Sequence, residues 1–373
     1  MFDRRCLLTH WVQMYTESMR KTVRIVVAIG FSVIFQSGCS VSNSSGSATR
    51  TEQPSVRTTE TPTLQTTEPI PVIWDDDGSI DGVTALLYLL EHPSYEIKAA
   101  TISPGIAHPR IFAPKLVSFL ELLGIQGIPV AAGPEQPLSG DNAFPSGWRS
   151  ASDEFWNVDL PETGSSVDER SSAELIVDIV RESEEEVVIF SSGPLTNIAA
   201  AFRIDPSIKE RIRSVEVMGG ALEANGNVSL SPSAEWNIFI DPVAASELFS
   251  SGVDIYLTPL DATDRIEWIE SDAVAWSASN RPVGSMAAQL LRQTLKDRSS
   301  SWVLIWDLVA ALNVADRGLC QWDQVHMEVV QTNGRNQGQT IVHDNGLANV
   351  NACLSPDVDA YHASAKAVLG GTQ

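Results

Sequence analysis

Cysteine and histidine are scarce, four and six in 373 residues. That excludes a disulfide-dense scaffold and a Cys/His zinc array. Positive charge is also short: 25 Lys and Arg stand against 47 Asp and Glu, a formal net charge of −22. Such a chain does not coat nucleic acid, whose phosphates require a cationic footprint, so no nucleic-acid partner is expected. No apolar run is long enough to cross a bilayer comfortably, and a mean hydropathy of −0.02 excludes a polytopic membrane protein. What is present is a 43% hydrophobic content, enough for one large core or two modest ones.

The first 39 residues read as a targeting device. Met19 to Arg24 is basic, 25–35 is apolar, and Gln36-Ser37-Gly38-Cys39 follows, the order of a secretory signal. Ser-Gly-Cys is similar to the lipobox of bacterial lipoproteins, which makes Cys39 the expected lipid anchor; the other reading is an ordinary signal with a chance Cys. Residues 40–69 hold 14 Ser or Thr, three Pro and almost no large apolar side chains, as a disordered tether does. The expectation is an extracytoplasmic lipoprotein, at a cell surface or in a periplasm, that touches the membrane only through Cys39. Outside the cytoplasm Cys320 and Cys353 could pair, or remain two separate thiols.

Residues 70–373 read as one domain. Strands are expected over 70–74, 95–102, 129–132, 187–191, 214–218 and 253–257. Helices are expected over 83–90, 111–123, 173–180, from 197, over 242–249, 268–280 and 284–297, and from 307. Segments 325–332 and 338–343 suggest an antiparallel ending. This alternation predicts an α/β fold with a mostly parallel central sheet flanked by helices. Ligands bind beyond the carboxyl ends of such strands, so the residues there carry the functional information.

After the first strand comes Asp75-Asp76-Asp77-Gly78-Ser79-Ile80-Asp81. Four carboxylates in so short a turn repel one another unless a cation compensates, and hard oxygen ligands suit Ca²⁺ or Mg²⁺. A later strand ends in Ser191-Ser192-Gly193-Pro194-Leu195-Thr196-Asn197, and another in Met218-Gly219-Gly220. Gly226-Asn227 and Ala234-Glu235-Trp236-Asn237 follow. If that stretch is extended, Glu235 and Asn237 share a face and pair an acceptor carboxylate with a bifunctional amide, which suits sugar hydroxyls. Asp241-Pro242 reads as a helix N-cap with proline at the first helical position. Asp307 lies in an apolar run and needs a partner or a metal.

Together these pieces resemble the inosine–uridine-preferring nucleoside hydrolase family, from about 70 to 357. Its opening motif, Asp-x-Asp-Pro-Gly-x-Asp-Asp, reads here Asp75 to Gly82, and Gly193 to Asn197, Met218 to Gly220 and the 226–238 stretch follow in the family's order. The resemblance implies hydrolysis of the N-glycosidic bond of ribonucleosides to ribose and free base, with bound Ca²⁺ (Mg²⁺ being second choice) and a small nucleoside as partner. A homo-oligomer is compatible with it. By position, Asp77 would be a metal ligand and the general base. Asp307 and the Thr196 carbonyl would be further ligands, and Asp75 would support the metal from the side. Asp81, Asn227, Glu235 and Asn237 would hold the ribose, and Met218 would line its pocket.

The chain also departs from the family. Gly82 replaces an Asp that would ligate calcium; Asp76 is an extra carboxylate, but neighbouring residues on an extended turn point apart. Gly105-Ile106 stands where the family has Gly-Asn, and Trp306 where many members have His. A base leaving without that His would need another route, such as stacking on Trp148, Trp156, Trp302 or Trp306, or help from His108. Trp306 is therefore placed with the substrate. Two rival readings stay open. Asp75-Asp76-Asp77-Gly78-Ser79 is similar to the motif of haloacid-dehalogenase-like Mg²⁺ phosphatases, with Asp261 and Asp264 as a later acidic pair. A non-catalytic nucleoside- or sugar-binding lipoprotein would keep the fold without the chemistry.

Overall fold

Strand β1 (Ile70–Asp76) is apolar up to its last two residues and buried from Pro71 onward. In the computed structural model, which describes residues 68–162 and 164–371, it lies inside a sheet with a parallel neighbour on each side. A strand covered on both faces reads as a continuous apolar run rather than an alternating one. The signal segment over 1–39, with Cys39, and the tether as far as 67 lie outside the described residues.

After β1 come α1 (Ile80–Glu91), β2 (Tyr95–Ile102), α2 (Pro109–Leu122), β3 (Val130–Ala132), α3 (Ser146–Asp153), α4 (Ser172–Glu182), β4 (Val187–Ser191) and α5 (Thr196–Ile204). The middle of the chain holds β5 (Ile212–Met218), α6 (Trp236–Ile240), α7 (Pro242–Phe249), β6 (Ile255–Thr258), α8 (Leu260–Thr263), β7 (Glu267–Ile269), α9 (Glu270–Trp276) and α10 (Pro282–Asp297). The chain closes with β8 (Trp302–Leu304), α11 (Trp306–Ala315), β9 (Cys320–Val329), β10 (Thr340–His343), β11 (Val350–Pro356) and α12 (Val358–Leu369).

Nine strands form one sheet in the order β10-β9-β11-β6-β5-β4-β1-β2-β3. From β11 to β3 every neighbouring pair is parallel. Only β9 runs antiparallel, to both β10 and β11. The expected α/β class and mostly parallel sheet are what the chain forms. One face is covered by α1, α2, α10 and α11, through Leu86, Phe112, Leu291 and Leu308; the other by α4, α5 and α7, through Leu175, Ile198 and Leu248. From β1 the order runs one way to β2 and β3, and the other way to β4, β5 and β6. The crevice between the carboxyl ends of β1 and β4 is the switch point at which such sheets bind ligands.

Some elements differ from the sequence reading. The expected helix over 268–280 begins later, at Glu270, because 267–269 is strand β7, paired antiparallel with β8. Trp268 is fully buried there, opposite Val303. A short apolar run fits helix or strand equally until its partner is known. The antiparallel ending has a third strand, β11, inserted between β6 and β9. Helix α3 escapes notice because only Ser152 of it is buried. Cys320, opening β9, and Cys353, in β11, are joined by a disulfide with their Cα atoms 5.7 Å apart.

Candidate active site

The end of β1 places three consecutive carboxylates at the switch point, all buried. Each is held differently. Asp75 Oδ1 accepts from Thr101 Oγ1 at 2.6 Å and Asn197 Nδ2 at 2.7 Å, and its Oδ2 from Ser191 Oγ at 3.3 Å. These donors come from β2, α5 and β4, so Asp75 is braced by both neighbouring strands. Asp76 Oδ1 accepts from the amides of Gly78 and Ser79 at 2.7 and 3.2 Å, and Oδ2 from Ser192 Oγ at 2.7 Å. Among the described residues Asp77 Oδ2 accepts the Ile106 amide alone, at 3.0 Å. The missing polar side chain at 106 is thus answered by a backbone N–H.

Burial penalises charge and lifts these acids. Asp75 is pushed up to about 7 and Asp76 to about 8. Asp77 stands well above the ordinary carboxylate range, first from burial and then from the charges of Asp76, Asp81 and Glu235. Asp307, at the start of α11, is raised by burial and then by Asp81, Asp76 and Asp77. Asp81 is raised by burial, and the Arg298 guanidinium partly offsets this. Asp307 joins the group physically: Ser79 Oγ donates to its Oδ2 at 2.8 Å.

The ends of β4 and β5 supply the other wall. Asn237 Nδ2 donates to the carbonyls of Ser192 and Met218 at 3.2 and 3.1 Å, linking the two strand ends. The 235–237 stretch is not extended as expected. Glu235 caps the short helix α6, accepting from the amides of Asn237 and Ile238, and it also holds the Gly220 amide at 3.1 Å. The chain turns into a helix because a carboxylate stands at its first unpaired N–H groups. Burial pushes Glu235 up to about 7. Asn227 Oδ1 accepts from the Trp236 amide at 3.1 Å, bringing that loop to the same wall. Asp241 caps α7 through Ala244 N with Pro242 at the first position, as expected, and also accepts from Thr196 Oγ1 at 2.7 Å.

The aromatic candidates separate. Trp306 stands beside Asp81 and Arg298 in a shallow crevice, its Nε1 donating to Asp264 Oδ1 at 2.8 Å. Trp148 is 46% exposed, its ring 5.9 Å from that of Trp236, which stacks on Phe144. Trp156 is core, packed against Phe112 and Phe155. Trp302 lies half-buried in β8. His108 precedes Pro109 as the turn residue before α2, and its Nδ1 pairs with Asp153 at 2.7 Å. A cavity of about 140 Å³, with Gly105, Asn142, Arg149 and Ile240 among its walls, opens beside this group.

Sequence reading did not assign Thr101, Ser103, Ser191, Ser192 or Asn197 to the site. The signal was small polar residues at the last positions of buried strands, where a purely structural strand would stay apolar. The donors are all oxygens of carboxylates, hydroxyls and carbonyls, the set that suits a hard cation. Ser103 is fully buried and its Oγ has no hydrogen-bond partner. A Cβ added at Gly193 would stand 2.5 Å from that oxygen and 3.0 Å from Asp77 Cβ, so the lone hydroxyl and Asp77 both border Gly193. Among the described residues no three His, Cys, Asp or Glu side chains are gathered closely enough to hold a metal ion by themselves. The carboxylate oxygens are engaged by hydroxyls and amides instead.

The family model for inosine-uridine preferring nucleoside hydrolases matches residues 72–363. The chain belongs to this family. Among curated relatives, a pyrimidine-specific ribonucleoside hydrolase of Klebsiella pneumoniae is 32% identical over 222 residues, covering 60% of this chain and 70% of that one. The structure of a purine-preferring ribonucleoside hydrolase from Gardnerella vaginalis superposes with a TM-score of 0.72 at 24% identity, over 81% of this chain and 98% of that one. An inosine-uridine preferring nucleoside hydrolase from Bacillus anthracis gives 0.69 at 22% identity, over 81% and 99%. At these identities the structural matches speak for the fold.

Membership sets aside the phosphatase reading, and the nucleoside hydrolase scaffold explains its acidic pair otherwise. Asp261 accepts the amides of Leu222, Glu223 and Ala224 at 2.7–2.8 Å and so pins the loop after β5. Asp264 holds the Trp306 indole.

Proposed function

We propose that this chain is a calcium-dependent nucleoside hydrolase acting outside the cytoplasm, with Asp77 as general base. Its family and its hydrolase relatives support release of ribose and base. The observation that carries the site reading is that Asp307, from α11, shares the switch point with the acids at the end of β1: Ser79 donates its hydroxyl to Asp307 and its amide to Asp76, and the charges of Asp81, Asp76 and Asp77 all raise the Asp307 carboxyl.

The residues divide the work as follows. Asp77, Asp307 and the Thr196 carbonyl would hold the cation, while Asp75, itself held by Thr101, Ser191 and Asn197, would support that group from the side. A cation held there supplies a Lewis acid that lowers the pKa of water and a fixed point for the ribose diol. Asp77 takes the proton of the attacking water. Water oxygen bonds to C1′, the glycosidic C–N bond breaks, and its electron pair leaves on the base nitrogen, which takes a proton from solvent while Asp77 later returns the water's proton to solvent. Buried carboxylates nearby stabilise the oxocarbenium-like sugar. Asp81, Asn227, Glu235 and Asn237 hold ribose hydroxyls, Met218 lines the sugar pocket, and Trp306 beside Asp81 flanks the substrate.

The targeting segment at 1–39, lipidation at Cys39 and the tether over 40–69 would hold the 70–373 domain off a membrane. The Cys320–Cys353 bond supports an oxidising compartment. The test is ribose release by the whole protein from purine and pyrimidine ribonucleosides, with Ca²⁺ and then with chelator. Chelator-sensitive release is expected. Calcium binding with no release from any nucleoside would instead favour a binding lipoprotein.

A further inference from the structure

We infer that Asp76 delivers to the bound calcium the carboxylate that the family motif places at position 82, and that residue 82 is glycine because the Asp76 side chain fills its place. This rests on the calcium-dependent reading above. The observation behind it is steric. A Cβ built on Gly82 would stand 1.8 Å from Asp76 Oδ2, 2.4 Å from its Cγ and 2.7 Å from Oδ1. No side chain can occupy position 82 while Asp76 keeps its conformation. The two motif departures, an extra acid at 76 and a missing one at 82, are therefore coupled: the Asp76 carboxylate fills the space in which a side chain at 82 would begin, approaching it from the end of β1 instead of from the first turn of α1.

The objection that Asp76 and Asp77 point apart is met by their partners. The turn at Gly78 has φ +85°, and Asp76 folds back over it to take the Gly78 and Ser79 amides. That motion carries Oδ2 to Gly82, while Asp77 points toward the Ile106 amide on the far side. Both acids still act on Asp307. A carboxylate has about four lone-pair sites. Asp76 spends three on Gly78, Ser79 and Ser192, which leaves Oδ2 able to accept again.

A residue that only braced the turn would give the same hydrogen bonds, so the test must separate the two roles. Asp76→Asn keeps an oxygen for the Gly78 and Ser79 amides and loses the charge. Calcium titration of the whole, metal-stripped protein by calorimetry should show affinity reduced roughly 10- to 100-fold in D76N. Its metal-free melting temperature should match or exceed that of the wild type, and calcium should raise it less. Gly82→Asp alone should lower the melting temperature, because two side chains then compete for one space. The double variant D76S/G82D should recover most of the lost calcium affinity. Equal calcium affinity in D76N and wild type, or a double variant no better than D76N, would overturn the inference. Ribose release is read in parallel: wild-type hydrolysis with calcium bound and D76N unaffected sinks the inference alone. A wild type that binds no calcium sinks the metal reading with it.

Discussion

Ser79 Oγ accepts from the Gly82 amide at 2.7 Å and donates to Asp307 Oδ2 at 2.8 Å, so one hydroxyl caps α1 and fixes an acid 228 residues further along the chain. Removing it should be felt twice. Ser79→Ala loses the cap, at a cost of about 1 kcal/mol in stability. It also leaves Asp307 unsupported, at roughly tenfold in calcium affinity or activity. Ser79→Thr should restore both. Denaturant unfolding and calcium titration measure the two effects separately, and a variant that lost stability alone would detach Ser79 from the site.

Asp77→Asn should leave the fold intact and lower ribose release by roughly 10²–10⁴-fold, the usual contribution of a positioned base. Steady-state assays on a nucleoside cleaved by the wild type decide it. A loss below tenfold would move the base elsewhere in the cluster.

Without metal, stability should fall as pH rises. Asp75 and Glu235 sit at about 7 and Asp76 at about 8 in the folded chain, against 3.8, 4.5 and 3.8 for the ordinary groups. Between about pH 4 and 8 the folded state therefore holds protons that the unfolded state has released, and each rise in pH favours unfolding. Calcium bound by these acids would displace those protons, so it should bind more tightly as pH rises and flatten the trend. Melting temperatures from pH 5 to 8, with calcium and with chelator, should diverge toward the alkaline end. Parallel curves would contradict this.

The Cys320–Cys353 bond closes a separation of 33 residues between β9 and β11. A loop of that size is stabilised by roughly 3–4 kcal/mol when closed. The Cys320→Ser/Cys353→Ser variant should melt several degrees lower while keeping nucleoside hydrolysis, since both sulfurs lie away from the switch point. Thermal unfolding and ribose release, measured side by side, test both halves of that statement.

The sequence carried the sheet well where burial and periodicity coincide. Strands β2 and β4 and helix α7 fall where alternation and the Asp241-Pro242 cap put them. It carried β7, β8 and β11 poorly, because Trp268 or Asn351 becomes a strand residue only through a partner far along the chain. In the site, acids clustered at a strand end were legible from charge repulsion alone. The conformation at Glu235 was not: the carboxylate caps the amides of Asn237 and Ile238 and also holds the Gly220 amide, a contact between loops that spacing does not show. Nor could spacing reveal that Asp76 folds back over Gly78, since that depends on a left-handed turn and an empty neighbour at 82.

That empty neighbour also orders mutational history. Between a chain with its acid at 82 and this one lie two substitutions, and they do not commute. Placing Asp at 76 first would drive it into an occupied space, so the side chain at 82 must be lost first. The way back runs in the opposite order: Asp76 must give up its place before any side chain can return at 82.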